Sequence, residues 1–268
     1  MHIGKTPGVT PPPAKQGFSL VELSIVLVIL GLLTGGILAG QSLIRAAELR
    51  AVTTEFNRYV TATQTFRDKY FAAPGDMTNA TAFWGDNNAA CPDAAIANGT
   101  PGTCNGNGDG LLNAAAAAGA TGEQLQYWNH LALAGLIEGT YSGLAGAGSQ
   151  WEVVGGTNAP RSKLANGVWS AYNYSNYAGD AYAFAYDYGN YLSFGAPNPP
   201  SIANNGIVSP EEAWNIDTKV DDGKPGQGRL VAWYWSVCTT AASNTDTAAS
   251  YALNLSGPRC ALAYTKVF

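Results

Sequence analysis

The sequence predicts an α+β fold: one long N-terminal helix, a loop-rich stretch carrying a short helix, and then strands. Three observations lead there. Between Phe18 and Ile44 the only ionisable side chain is Glu22. Directly afterwards, apolar residues recur at three- and four-residue steps as far as Tyr70. From Trp151 onward the periodicity shortens to two.

The apolar segment, residues 18–45, exceeds the roughly 20 residues that a helix needs to cross a bilayer. A carboxylate inside such a segment costs about 2.5–3.5 kcal/mol on insertion scales, so Glu22 calls for a partner or a function. Residues 1–17, with Pro7, Pro11, Pro12 and Pro13, read as a disordered leader. They are not an ordinary signal peptide, because the hydrophobic run is too long and no small-residue cleavage site clearly follows it. Lys5 and Lys15 precede the span while Arg45 and Arg50 follow it, so flanking charge orients it only weakly.

Residues 46–74 continue the helix as an amphipathic half. Leu49, Val52, Phe56, Tyr59, Val60, Thr63, Phe66 and Tyr70 form one stripe, with Arg50, Glu55, Arg58, Arg67 and Asp68 expected mostly on the opposite side. No proline interrupts residues 18–73, and Pro74-Gly75 closes the run. At 1.5 Å per residue the helix would be roughly 80 Å long. Gly31, Gly35, Gly36 and Gly40 weaken its membrane half but sit at spacings that allow close helix packing.

Residues 75–150 are mostly loop, rich in Asn, Gly and Ala, with a helix expected over Glu123–Ile137. Residues 151–268 are expected to form the sheet. Strands are predicted at Val168–Tyr177, at Ala181–Tyr188 (where aromatic and small residues alternate), at Gly228–Cys238 and at Cys260–Val267. The aromatic segment Trp169–Phe194 is read mainly as a core face packed on the helix stripe. Stacking on carbohydrate is the alternative.

Composition narrows the function classes. The chain carries formal charge -5, and loss of Lys5 and Lys15 with the leader would leave about -7. Such a domain does not suit non-specific nucleic-acid binding, which rests on basic side chains. His2 and His130 are the only histidines. His130 follows Trp128-Asn129 on the expected helix and reads as a polar helix-face residue. No nucleophile, phosphate-loop or zinc-protease motif accompanies it, so no enzyme is expected.

The Gly17-Phe18 junction, the apolar run opening at Phe18 and Glu22 four residues later resemble the processing motif of type IV pilins and type II secretion pseudopilins. The resemblance implies a pilin-like fold: the long helix packed on a meander of antiparallel strands, with 75–150 a large insertion between them. It implies cleavage after Gly17 by a prepilin peptidase and N-methylation of Phe18. It also implies pairing of Glu22 with the new amine of a neighbouring subunit in a helical filament. The N-terminus would be cytoplasmic, with the chain crossing a bacterial inner membrane once and the domain periplasmic or in an extracellular filament. Other pilin or pseudopilin subunits are then the partners. The large domain suggests a minor subunit; a tip adhesin or substrate-binding module, and behind it a membrane-tethered enzyme, are the rival functions.

Cys91, Cys104, Cys238 and Cys260 fall in the expected exported part, where disulfides form. Of three connectivities, sequence proximity favours Cys91–Cys104 and Cys238–Cys260, the second akin to the C-terminal disulfide loop of many pilins. Zinc is the rival, without CxxC spacing. Calcium is the one cofactor that the oxygen-bearing side chains suggest. Asp217, Asp221 and Asp222 before Gly223 are the first candidates, since three carboxylates attract a hard divalent cation better than two amides and one acid; the resemblance adds that calcium sites occur in C-terminal loops of some pseudopilins. Asn105, Asn107 and Asp109 are the weaker set: with Gly110 and Asn113 they match an EF-hand-like loop, but Ala116 stands where its bidentate Glu belongs. Both stretches also read as plain Asn/Asp-Gly turns.

Overall fold

The computed structural model describes residues 17, 19–85, 103–175, 181–234 and 237–268, and the chain divides into two compact units, Met1–Ala47 and Glu48–Phe268. Helix α1 spans Leu20–Tyr70. In the first unit its large apolar side chains, from Leu20 to Ile44, are exposed, and the helix is long and apolar enough to cross a membrane.

In the second unit the amphipathic stripe becomes core. Val52, Phe56, Tyr59, Thr63 and Phe66 are buried, while Leu49, Val60 and Tyr70 pack at its edge. Phe56 stacks on Tyr264 with ring centroids 3.8 Å apart, and Tyr59 meets the edges of Trp128 and Trp169 at 5.0 and 5.5 Å. Glu55 departs from expectation. It is buried on the packed side of the helix, where its carboxylate accepts from Ser162 Oγ (2.7 Å), Lys163 N (2.8 Å) and Trp169 Nε1 (2.9 Å). Three donors supply what water would otherwise have given the charge.

Four strands, β1 (Val168–Tyr174), β2 (Gly189–Gly195), β3 (Leu230–Ala232) and β4 (Leu262–Tyr264), form one antiparallel sheet in the order β1-β2-β4-β3. The long apolar helix with this sheet is the α+β, pilin-like architecture expected. The sheet is not a plain meander, because the last strand lies between β2 and β3. Trp169 pairs with Phe194 and Tyr172 with Tyr191 across β1 and β2. Side-chain alternation puts Trp169, Phe194 and Tyr264 on the α1 face and Tyr172 and Tyr191 on the other.

Three sequence assignments need correction. Ala181–Tyr188 is outside the sheet despite its alternation. Phe184 N donates to the Tyr188 hydroxyl and Ala185 N to Asn244 O, so this backbone is satisfied without a ladder. Second, residues 151–268 are not all sheet: Pro210–Val220 forms helix α4, started by a capping box in which Ser209 and Glu212 exchange hydrogen bonds. Third, α1 ends at Tyr70, four residues short of 74, with Phe71 in the left-handed region (φ 54°).

Within 75–150 lie α2 (Ala80–Trp84) and α3 (Glu123–Leu133). Every residue of α3 from Glu123 to Leu131 is buried, including the polar ones. Gln126 accepts from Thr103 Oγ1 and Asn129 Nδ2 and donates to Thr121 Oγ1. His130, expected on a polar face, has no exposed surface; its Nδ1 accepts from Gly75 N (2.9 Å) and its Nε2 donates to Cys104 O (3.1 Å). Gly75 sits at φ +89° with the Glu123 carbonyl where a Cβ would go, so no other residue fits there. The loops of the insertion thus wrap the polar side of α3, as the sheet and α1 cover its apolar side.

Glu55→Ala leaves the buried indole N–H of Trp169 and the part-buried backbone N–H of Lys163 without that acceptor. We expect a loss of roughly 2–5 kcal/mol, read by urea denaturation of the domain beginning at residue 48. A change below about 0.5 kcal/mol would show that the clamp does not hold α1 to the sheet.

Candidate functional site

The first candidate site is the start of α1. Gly17 is exposed, and an added Cβ there would meet nothing within 4 Å, so the fold of the described residues does not require glycine at this position. Phe18, the expected site of N-methylation, lies outside the described residues. Glu22 is exposed, and its Oε2 accepts from Ser19 N (2.8 Å) while Glu22 N donates to Ser19 Oγ (3.3 Å). This capping box was not expected, although Ser19 three residues before Glu22 is its usual signature. It gives Glu22 a local role beside any role between subunits. Gly31, Gly35, Gly36 and Gly40 likewise face open space among the described residues.

The cysteines come next. Cys238 and Cys260 are bonded, with Cα atoms 4.9 Å apart, and tie the segment after β3 to the residue two before β4. Cys104 is buried and disulfide-bonded. The expected Cys91–Cys104 link involves Cys91, which lies outside the described residues.

Two acidic groups converge enough to offer oxygen ligands within 4.8 Å of one another: Asp217, Asp221 and Asp222, and Asp76, Asp109 and Glu123. In the first, Asp217 is buried in α4 and accepts from the Tyr251 hydroxyl (2.8 Å) and Gly223 N (3.2 Å). Asp221 Oδ2 accepts from the backbone of Arg229 and Leu230, and Asp222 Oδ1 from Lys224 N. Burial pushes the Asp217 carboxyl up to about 7; its hydrogen bonds from Tyr251 and Gly223 pull the other way and lose.

The second group corrects the EF-hand-like reading. Asn105 is engaged elsewhere; its Oδ1 accepts from Thr81 N and Oγ1 in the first turn of α2. Asn107 and Asn113 each donate an amide hydrogen to Asp109 Oδ2. Two acids far away in sequence complete the cluster. Asp76 accepts from Gly108 N and Gly110 N, and Glu123 from Asn107 N and Asn113 N. Burial raises the pKa of Asp76 and of Glu123 above the usual carboxylate range. Hard oxygen ligands suit calcium at either place. Three carboxylates placed the first group ahead in the sequence, and the second group also has three.

Beside this geometry stand the comparisons with known proteins. Residues 12–38 match the family model described as the prokaryotic N-terminal methylation motif. The start of the chain is therefore similar to a prepilin N-terminus. The match takes in the six residues up to Gly17, the Gly17-Phe18 junction, Glu22 and most of the apolar segment, and it is consistent with the type IV pilin and pseudopilin family. Together with the exposed apolar helix it fits a membrane-anchored pilin-like protein. No curated protein and no solved structure matches the chain.

Two buried groups make opposing contributions to pH dependence. Burial holds His130 down at about 4, against an ordinary 6.5, so stability is full above pH 6.5 and lost as pH falls towards 4. Asp217, raised to about 7 from 3.8, adds stability that is full at low pH and lost as pH rises towards 7. Between about pH 6.5 and 5 the two slopes, each about 1.4 kcal/mol per pH unit, offset one another. Denaturation midpoints of the wild-type domain should therefore change less across that window than those of either single variant. Those of Asp217→Asn should fall on acidification, and those of His130→Gln should rise. Parallel profiles for all three proteins would rule out both assignments.

Proposed function

We propose that this chain is a minor subunit of a type IV pilus or a type II secretion pseudopilus. It would be cut after Gly17 by a prepilin peptidase, methylated on Phe18 and drawn into a helical filament through α1, with the domain on the periplasmic or extracellular side. The observation that carries the reading is the methylation-motif match over residues 12–38, on a helix whose apolar surface is exposed. The glycines of α1 meet nothing among the described residues, and each costs nearly 1 kcal/mol relative to alanine in a helix interior. Close approach of neighbouring helices in a filament accounts for them.

Glu22 would meet the amine of an adjacent subunit, since a carboxylate in lipid gains most from a cation that shares its desolvation. A structural rather than catalytic role is supported by His130, whose two ring nitrogens are both held by backbone groups. A divalent cation at either acidic group would add to the stability of the domain without altering this role.

Two substitutions test the reading. Gly17→Glu should accumulate as uncut precursor with the domain intact, as read by mass spectrometry of the membrane fraction; normal cleavage would count against the proposed processing site. Glu22→Gln keeps a side chain able to cap Ser19 N but removes the charge. It should reach the membrane at the wild-type level yet enter filaments several-fold less, and Glu22→Ala should do the same. Wild-type incorporation of Glu22→Gln with loss in Glu22→Ala would assign the residue to capping alone.

A further inference from the structure

The sheet face away from α1 carries a recess of about 280 Å³ that the filament reading does not use. Tyr191, Trp233 and Asn204 line its buried part, Tyr172 is half-buried, and Trp151 and Tyr182 are exposed at its rim. Tyr191 lies edge-on to both Tyr172 and Trp233, with centroids 6.2 and 5.9 Å away. The floor is braced from behind: Trp233 Nε1 donates to Ser193 Oγ, Ser193 Oγ donates to Ala203 O, and Ala203 N donates to Ser170 Oγ. The floor of the recess is therefore formed before any ligand arrives.

Two features point to an occupant. Asn204 is only 7% exposed, and one end of its amide is held by Asn198 (2.8 Å). The other end makes no hydrogen bond to the described residues and is not among the side-chain atoms shut away from water, so it is open to a ligand in the recess. Trp151 is 43% exposed, and its ring packs against no other aromatic ring among the described residues. No acid or base is among the described residues that line the recess, so its chemistry favours neither an anion nor a cation.

We propose that this recess binds a neutral saccharide. A pyranose ring presents an apolar C–H face and a rim of hydroxyls. The C–H face matches the aromatic walls, and the hydroxyls match the open amide end of Asn204 and the tyrosine hydroxyls. A polyproline segment also docks on aromatic walls, but it needs an extended ridge-and-groove surface and leaves a deep polar point unused. The inference does not rest on filament membership, so its failure would leave that reading intact.

The test is calorimetric titration of the full-length protein, in a detergent without a sugar headgroup, with maltohexaose, cellohexaose, chitohexaose and decaproline. At least one of the three saccharides should bind saturably. Trp151→Ala should weaken that binding roughly tenfold or more. Trp214→Ala, which removes a tryptophan of similar exposure (40%) on α4 outside the recess, should leave it unchanged. Both rings are partly exposed, so both variants should melt like the wild type. Binding of none of the three saccharides overturns the proposal, as does binding that survives Trp151→Ala, or binding of decaproline alone.

Discussion

The domain depends on one carboxylate in an apolar place. Glu55 lies on the buried side of α1, and its acceptors are filled by a loop hydroxyl, a loop amide and the indole of Trp169 on β1. Phe56 and Tyr59, the neighbouring positions of the stripe, then meet Tyr264 and Trp169. Apolar contact is non-directional and would tolerate rotation of the helix about its axis. Three hydrogen bonds to a charge do not tolerate it, because a rotated helix would leave the carboxylate buried without donors. The stripe supplies the attraction, and Glu55 fixes the angle at which it acts.

The same logic shapes the insertion. Its loops contain few large apolar residues and so have little of their own to bury. They are held by the polar side chains of α3, which is buried all round, and by acids that gather backbone amides from the glycine-rich loop at 106–110. Two of those acids, Asp76 and Glu123, are displaced from the usual carboxylate range by their burial. The insertion is therefore part of the domain core and not an ornament upon it.

The long helix, its stripe and its N-terminal motif were legible in the sequence because few structures other than a membrane-crossing amphipathic helix combine a 3.6-residue period with a lone acid in an apolar run. Helix α3 was legible in existence but not in depth. Gln124, Gln126, Asn129 and His130 look solvent-facing until loops distant in sequence supply their partners. Ala181–Tyr188 shows how period two can mislead: the side chains alternate, but the backbone finds a tyrosine hydroxyl and a loop carbonyl before it finds a strand. Helix α4 carries its own signature in Ser209-Pro210-Glu211-Glu212, where the paired acids serve the helix start. The union of Asp76, Asp109 and Glu123 was not legible, since nothing local says that residues so far apart converge.

The position of β4 has a consequence for when this domain can exist. Leu262–Tyr264 is the last strand in chain order, yet it fills the middle of the sheet and stacks Tyr264 against Phe56. Until that segment is in place, β3 has no neighbour and β2 has one free edge. The strand pairings of β4 reach back 30 to 72 residues and its Tyr264–Phe56 stack reaches back 208, the kind of long-range contact that makes folding slow. A nascent chain would therefore remain loose through most of its synthesis. For a chain exported as proposed, that delay is useful, because a domain that sets only when its final strand emerges stays threadable until it has crossed.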